Sequence, residues 1–255
     1  MSKKMMMLAL AAVSAALFAM PAVASAGEWD TENSLGQVVT GQEFTISKVT
    51  NPVLESANGD RVTCTGLTGS GKYDVGSSKT GTITLDFTGC TENTFGTTCQ
   101  SGATNGTISV AGKVFHNVII GNSTDSFTPI GVLITGNSGP TTDFVKFDCG
   151  FGLLTITVTG NVIGELEPRS ATQKKETEEG KKEYGECNVA GKTFNLNFAT
   201  KGSVGAETYT QKYEQVTTSG PNFDLISHVN GGEFTSSQTG TGTIHFTNVV
   251  KPTCG

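Results

Sequence analysis

Gly66-Leu67-Thr68-Gly69-Ser70-Gly71-Lys72-Tyr73 comes within one residue of a phosphate-cradling P-loop, where spaced glycines admit the phosphates and a final Ser or Thr hydroxyl holds magnesium. Tyr73 takes that last place, and the segment lies in a strand pattern with no helix whose N-terminus could meet a phosphate. It reads as scaffold. Lys79-Thr80-Gly81 matches the short triplet of serine β-lactamases, but the Ser-x-x-Lys nucleophile quartet occurs nowhere, and Gly-x-Ser-x-Gly and His-Glu-x-x-His are also absent. A triad assembled from distant positions would need His116 or His245 as its base, and a lone strand histidine is more often a surface group. Paired carboxylates for glycoside hydrolysis have little support, since Glu165 and Glu167 are neighbours at the edge of a charged stretch. No enzyme activity is expected, and no cofactor. The best ligand face is Tyr209, Gln211 and Tyr213, whose rings and amide alternate along one side of a strand and suit sugar rings. The same pattern describes tyrosines half-buried in a sheet.

The elements that would position these groups are strands. Ile83, Leu85 and Phe87 alternate with Thr82, Thr84, Asp86 and Thr88, the period of a strand with one buried and one wet face. Folding the chain back about Val75–Lys79 sets Leu67 opposite Phe87 and Tyr73 opposite Gly81, and places Cys64 beside Cys90. Further strands are expected at 37–48, after a turn at Asn58-Gly59-Asp60, as a pair within 107–120 turning at Ala111-Gly112, and at 129–135, 144–149, 153–163, 193–198, 209–215, 223–229 and 241–250. Glu165–Glu186 is charged and almost without large apolar residues, so it reads as a solvated loop or short exposed helix. Short strands bounded by turn clusters predict an all-β, disulfide-stabilised antiparallel β-sandwich or flattened barrel, a single domain over 27–255, with two domains split at the charged insert as the alternative.

Lys3 and Lys4, an apolar run to about Met20, and Ala24-Ser25-Ala26 form the three regions of a secretory signal peptide, with cleavage expected after Ala26. Loss of those two lysines takes the net charge from −6 to −8, which leaves no basic stripe for nucleic acid. Six cysteines in an exported chain predict disulfides, and the absence of paired Cys-x-x-Cys knuckles argues against structural zinc. The expected bridges are Cys90 with Cys99, Cys64 with Cys149, and Cys187 with Cys254, with Cys64–Cys90 as the rival that the hairpin register favours.

Cys64-Thr65 followed by Gly69-x-Gly71-x-Tyr73, Phe87-Thr88-Gly89-Cys90 before Cys99, and Phe147-x-Cys149 carry a family resemblance. It continues through Val162-Ile163-Gly164, Phe194-Asn195-Leu196-Asn197-Phe198 and Asn230-Gly231-Gly232-x-Phe234. With these motifs the chain resembles a group of exported, paralogous, cysteine-containing β-rich proteins of soil actinobacteria that carry no assigned activity. Cys187, Cys254 and the charged insert depart from that pattern, and two extra cysteines arriving together imply a pair. The expectation is a secreted or cell-envelope-associated, non-catalytic binding protein with no integral membrane segment after signal cleavage, and with polysaccharide as its ligand. The alternatives are a structural or protective surface protein binding other proteins through sheet edges and, third, an extracellular hydrolase.

Overall fold

The computed structural model describes residues 30–33, 35–77, 80–120, 130–137, 143–168, 175–176, 182–183, 191–198, 212–213 and 225–253. Every regular element among them is a strand, and no described helix is long and apolar enough to cross a membrane. The strands are β1 (Asp30–Glu32), β2 (Glu43–Lys48), β3 (Val53–Ser56), β4 (Arg61–Thr63), β5 (Gly66–Tyr73), β6 (Thr80–Thr88) and β7 (Thr91–Glu92). Next come β8 (Cys99–Gln100), β9 (Thr107–Ile120), β10 (Ile130–Gly136), β11 (Asp143–Cys149), β12 (Leu154–Thr159) and β13 (Asn161–Pro168). The last are β14 (Lys175–Glu176), β15 (Lys182–Glu183), β16 (Gly191–Phe198), β17 (Lys212–Tyr213), β18 (Leu225–Val229) and β19 (Gly232–Thr253).

Their pairings close on themselves. β2 pairs with β5, β5 with β6, β6 with β9, β9 with β10, β10 with β13, β13 with β16, β16 with β19, and β19 returns to β2, always antiparallel. This is a barrel of eight strands in which chain neighbours are also spatial neighbours. Each connection at one end of it adds two more strands. β3, β4, β7, β8, β11, β12, β18 and the first part of β19 follow in the same order and form a second tier. A bridge between Thr91 and Thr98 closes that tier between β7 and β8. The molecule is thus one long up-and-down barrel with a waist, where all strands but β19 break. A barrel, not a sandwich, satisfies the expected fold class, and each of its eight described strands is paired on both sides.

Alternation explains which side chains fill it. Phe44, Ile46, Leu67, Tyr73, Ile83 and Leu85 are buried, whereas Glu43, Thr45, Thr68, Ser70, Lys72, Thr82 and Thr84 are exposed. Along β2, β5 and β6 the outer face is therefore polar, the reverse of the apolar band that a membrane-spanning barrel presents to lipid. Phe246 lies within about one ring spacing of Phe44 (centroids 5.9 Å), Tyr73 (6.2 Å) and Phe194 (6.1 Å), and these four rings plug the barrel on the far side of the waist cysteines. Burial holds the Tyr73 phenol well above its ordinary range, so it stays neutral.

The register expected for β5 and β6 is the one observed, with Leu67 opposite Phe87 and Tyr73 opposite Gly81. Other expectations are corrected. Residues 107–120 are one strand, not a pair, because Gly112 is there for closeness: a Cβ on it would sit 2.2 Å from the Thr135 carbonyl oxygen of the neighbouring β10. Residues 153–163 are two strands that part at the waist, and β19 runs back to the hairpin turn at Asn230-Gly231 instead of starting near 241. The helical alternative for the charged insert is replaced by the end of β13 and a two-stranded ribbon of β14 and β15.

Candidate functional site

Four cysteines gather in the second tier, Cys64 and Cys90 next to the waist and Cys99 and Cys149 nearer its outer turns. Cys64, Cys90, Cys99 and Cys149 are all buried, and the Cys99 N–H donates to the Cys90 carbonyl at 2.9 Å. The bridges are Cys64–Cys90 and Cys99–Cys149, which overturns the expected Cys90–Cys99 and Cys64–Cys149 pairs. Facing positions decide the matter. Cys64 and Cys90 extend the β5–β6 register beyond Gly66 and Thr88, and Cys99 is the direct cross-strand partner of Cys149. Cys90 and Cys99 lie close in the backbone but each points at a different partner. Cys187 and Cys254 lie outside the described residues.

Beside Cys64 the waist holds a partly open cavity of about 60 Å³. Leu67, Leu85, Ile108 and Val110 bound it from the first tier, and Leu54, Phe147, Val158 and Leu225 from the second. Polar groups come only from one sector, where Thr50, Gln238, Thr239 and Thr241 line it, and no lining residue is charged. Two of those groups are already engaged: the Thr241 N–H donates to Thr50 Oγ1 at 2.7 Å, and Gln238 Nε2 donates to the Thr239 carbonyl at 3.0 Å. The cavity lies where the strands other than β19 are interrupted between the two tiers. Its mainly apolar lining favours apolar groups over water.

At the outer end of the second tier, two adjoining turns carry the other unusual chemistry. Between β7 and β8 the Glu92 carboxylate, only 5% exposed, accepts the N–H groups of Thr94 (2.6 Å), Phe95 (2.8 Å) and Thr97 (3.0 Å) and the Thr97 hydroxyl (3.1 Å). Burial pushes this carboxyl up, but the hydrogen bonds from Thr97, Thr94 and Phe95 outweigh it and hold the group below its ordinary range. Between β11 and β12 the run Gly150-Phe151-Gly152 is left-handed throughout, with φ of 63°, 59° and 87°. For Phe151 that conformation costs about 1–2 kcal/mol. The two turns touch, since the Gly150 N–H donates to the Thr98 carbonyl at 3.0 Å.

Because the folded Glu92 is the more acidic form, its clamp contributes fully above the ordinary carboxyl pKa of 4.5 and is lost as pH falls through its depressed folded value. Glu92→Gln, which turns an NH₂ toward N–H donors, is expected to cost about 2 kcal/mol at pH 7 and much less at pH 3. Urea midpoints of the two proteins at both pH values check this; a gap that does not narrow in acid would rule out a charged clamp.

The residues singled out by sequence are dispersed. His245 lies on the outer face of β19 with Nδ1 2.8 Å from Thr193 Oγ1, and His228 lies in the second tier, 3.9 Å from Glu233. His116 is in β9, opposite Val132. Tyr209 and Gln211 lie outside the described residues, and Tyr213 belongs to β17, opposite Ile119. The P-loop-like glycines make room for neighbours across the barrel: a Cβ on Gly71 would sit 2.2 Å from the Phe44 ring, and one on Gly69 2.6 Å from Leu85 Cδ2. Glu92, Phe95 and Phe151 were not legible as site residues. The one available signal was a large aromatic set between glycines, as in Gly150-Phe151-Gly152. No family model, no curated protein and no solved structure matches this chain.

Proposed function

We propose that this is an exported, disulfide-stabilised binding protein that holds the apolar part of a small amphiphile in the waist of its barrel. The observation that carries the reading is the apolar, uncharged cavity between the tiers, open to polar groups on one sector only. An eight-stranded barrel is just wide enough either to be filled by side chains, as by the four rings around Phe246, or to hold one small ligand where they leave space. A lining with few polar groups and no charge suits the end of an alkyl chain or a single ring with a neutral polar group, held by Thr50, Gln238 or Thr241, and the space of about 60 Å³, well below the ~150 Å³ that takes up benzene, admits it only as the open side of the waist widens. Export is supported by the leader pattern of residues 1–26 and by two bridges of the kind that persist in oxidising compartments.

Titration of the oxidised protein with the uncharged fluorophore N-phenyl-1-naphthylamine tests this. Saturable uptake with blue-shifted emission is expected, competed by a medium-chain alcohol. Val110→Phe, which projects a ring into the cavity, is expected to weaken uptake at least tenfold (about 1.4 kcal/mol) while the protein stays folded. No saturable uptake by the native protein, or undiminished uptake by a folded Val110→Phe, would remove the waist as the binding site.

A further inference from the structure

We infer that Gln238 sets the polar selectivity of the waist cavity, favouring a small neutral compound that carries a hydroxyl over one that can only accept a hydrogen bond. This rests on the waist being a binding site and names the group that its ligand must bear.

β19 alone runs unbroken past the waist, pairing with β18 and β3 in the second tier and with β2 in the first. Ser236 is buried on the second-tier side of the cavity, Ile244 and Phe246 on the first-tier side, and Gln238 lies in the cavity wall between them. Gln238 stands opposite Leu54 of β3, and the wall on that side is otherwise apolar, with Phe147, Val158 and Leu225. Packing among these groups would be served as well by a methionine.

The amide is only half used. Gln238 Nε2 donates to the Thr239 carbonyl at 3.0 Å, and among the described residues nothing donates to Oε1 or accepts the second Nε2 hydrogen. Its polar neighbours are engaged with one another. Ser236 Oγ donates to Ser227 Oγ at 2.7 Å, and the Thr241 carbonyl accepts the N–H groups of Val49 at 2.8 Å and Thr50 at 3.0 Å.

An amide held through one hydrogen presents an acceptor and a donor side by side. A hydroxyl meets both, giving its proton to Oε1 and accepting from Nε2, whereas an ether or ester oxygen has no proton to give and leaves Oε1 unpaired. That unpaired acceptor is the penalty by which a site built for a hydroxyl rejects a ligand without one. Since no lining residue is charged, a carboxylate or ammonium would lose hydration with no counter-ion to replace it.

Displacement of N-phenyl-1-naphthylamine from the oxidised protein by 1-hexanol and by its isomer methyl pentyl ether tests the inference. The preference for the alcohol is expected to be about tenfold larger in the native protein than in Gln238→Leu, which removes the amide at similar volume. The two isomers differ in their own affinity for water, and comparing the two proteins cancels that difference. A merely structural role for Gln238 would shift both competitors alike. Gln238→Met repeats the comparison, so that an ill-folded leucine variant does not decide it. An equal preference in the native protein and a folded apolar variant would overturn the inference while leaving the waist a binding site. No saturable fluorophore uptake by the native protein would remove both.

Discussion

Replacing Cys99 and Cys149 together by serine is expected to lower stability by about 4 kcal/mol and the melting temperature by about 8–16 °C. This bridge closes a loop with a sequence separation of 50, against 26 for Cys64–Cys90, and a longer loop leaves the unfolded chain more freedom to lose. It also joins β8 to β11, a contact otherwise limited to two residue pairs, Asp148 with Gln100 and Cys149 with Cys99. Loss of the bridge should therefore open the second tier before the first. Hydrogen exchange in the double variant is expected to show protection falling in β8 and β11 while β5 and β6 keep theirs. A Cys90→Ser single variant separates the observed pairing from its rival: non-reducing peptide mapping should find Cys64 free and Cys99 still joined to Cys149. Free Cys99 in that variant would refute the connectivity.

Phe246→Ala is expected to cost roughly 3–5 kcal/mol, the largest effect of a single side chain in this protein. Its ring meets Phe44, Tyr73 and Phe194, which come from three other strands, so its removal leaves a hole that no one neighbour can fill. Phe246 is also fixed in place, because β19 pairs with β16 on one side and β2 on the other. Phe246→Leu keeps most of the volume and should cost less than about 1.5 kcal/mol. Chemical denaturation of the pair provides the check, and a loss below about 1 kcal/mol for the alanine variant would show that the rings do not form a shared plug. Since these rings lie away from the lining of the waist cavity, the folded fraction of Phe246→Ala should still take up an apolar fluorophore with native affinity.

Reading the chain alone recovered whatever depends on near neighbours. Alternation along β6, the β5–β6 register and the Asn230-Gly231 turn are local: a strand's two faces differ in polarity, and a slip of one residue would exchange them. Even the Cys64–Cys90 bridge was implicit in that register, and the expectation of Cys90–Cys99 went wrong by weighing closeness in sequence above the direction of the side chains. Gly112 misled for a related reason. A glycine that lets a second strand pass and a glycine that turns the chain look identical until the neighbour is known.

What the residues by themselves determined is an all-β chain with a polar and an apolar face to each strand and cysteines able to pair. Closure of the ring, the partner of each cysteine in the second tier, the cavity and the contact between the Gly150–Gly152 turn and Thr98 belong to the tertiary structure. Each depends on contacts between residues far apart in the chain, such as Ile244 on β19 with Ile46 on β2, or Gly150 with Thr98. A cavity is the space that packed strands fail to fill, so no residue encodes it. Phe151 reads in sequence like any core aromatic, and only the backbone around it turns its ring to the outside.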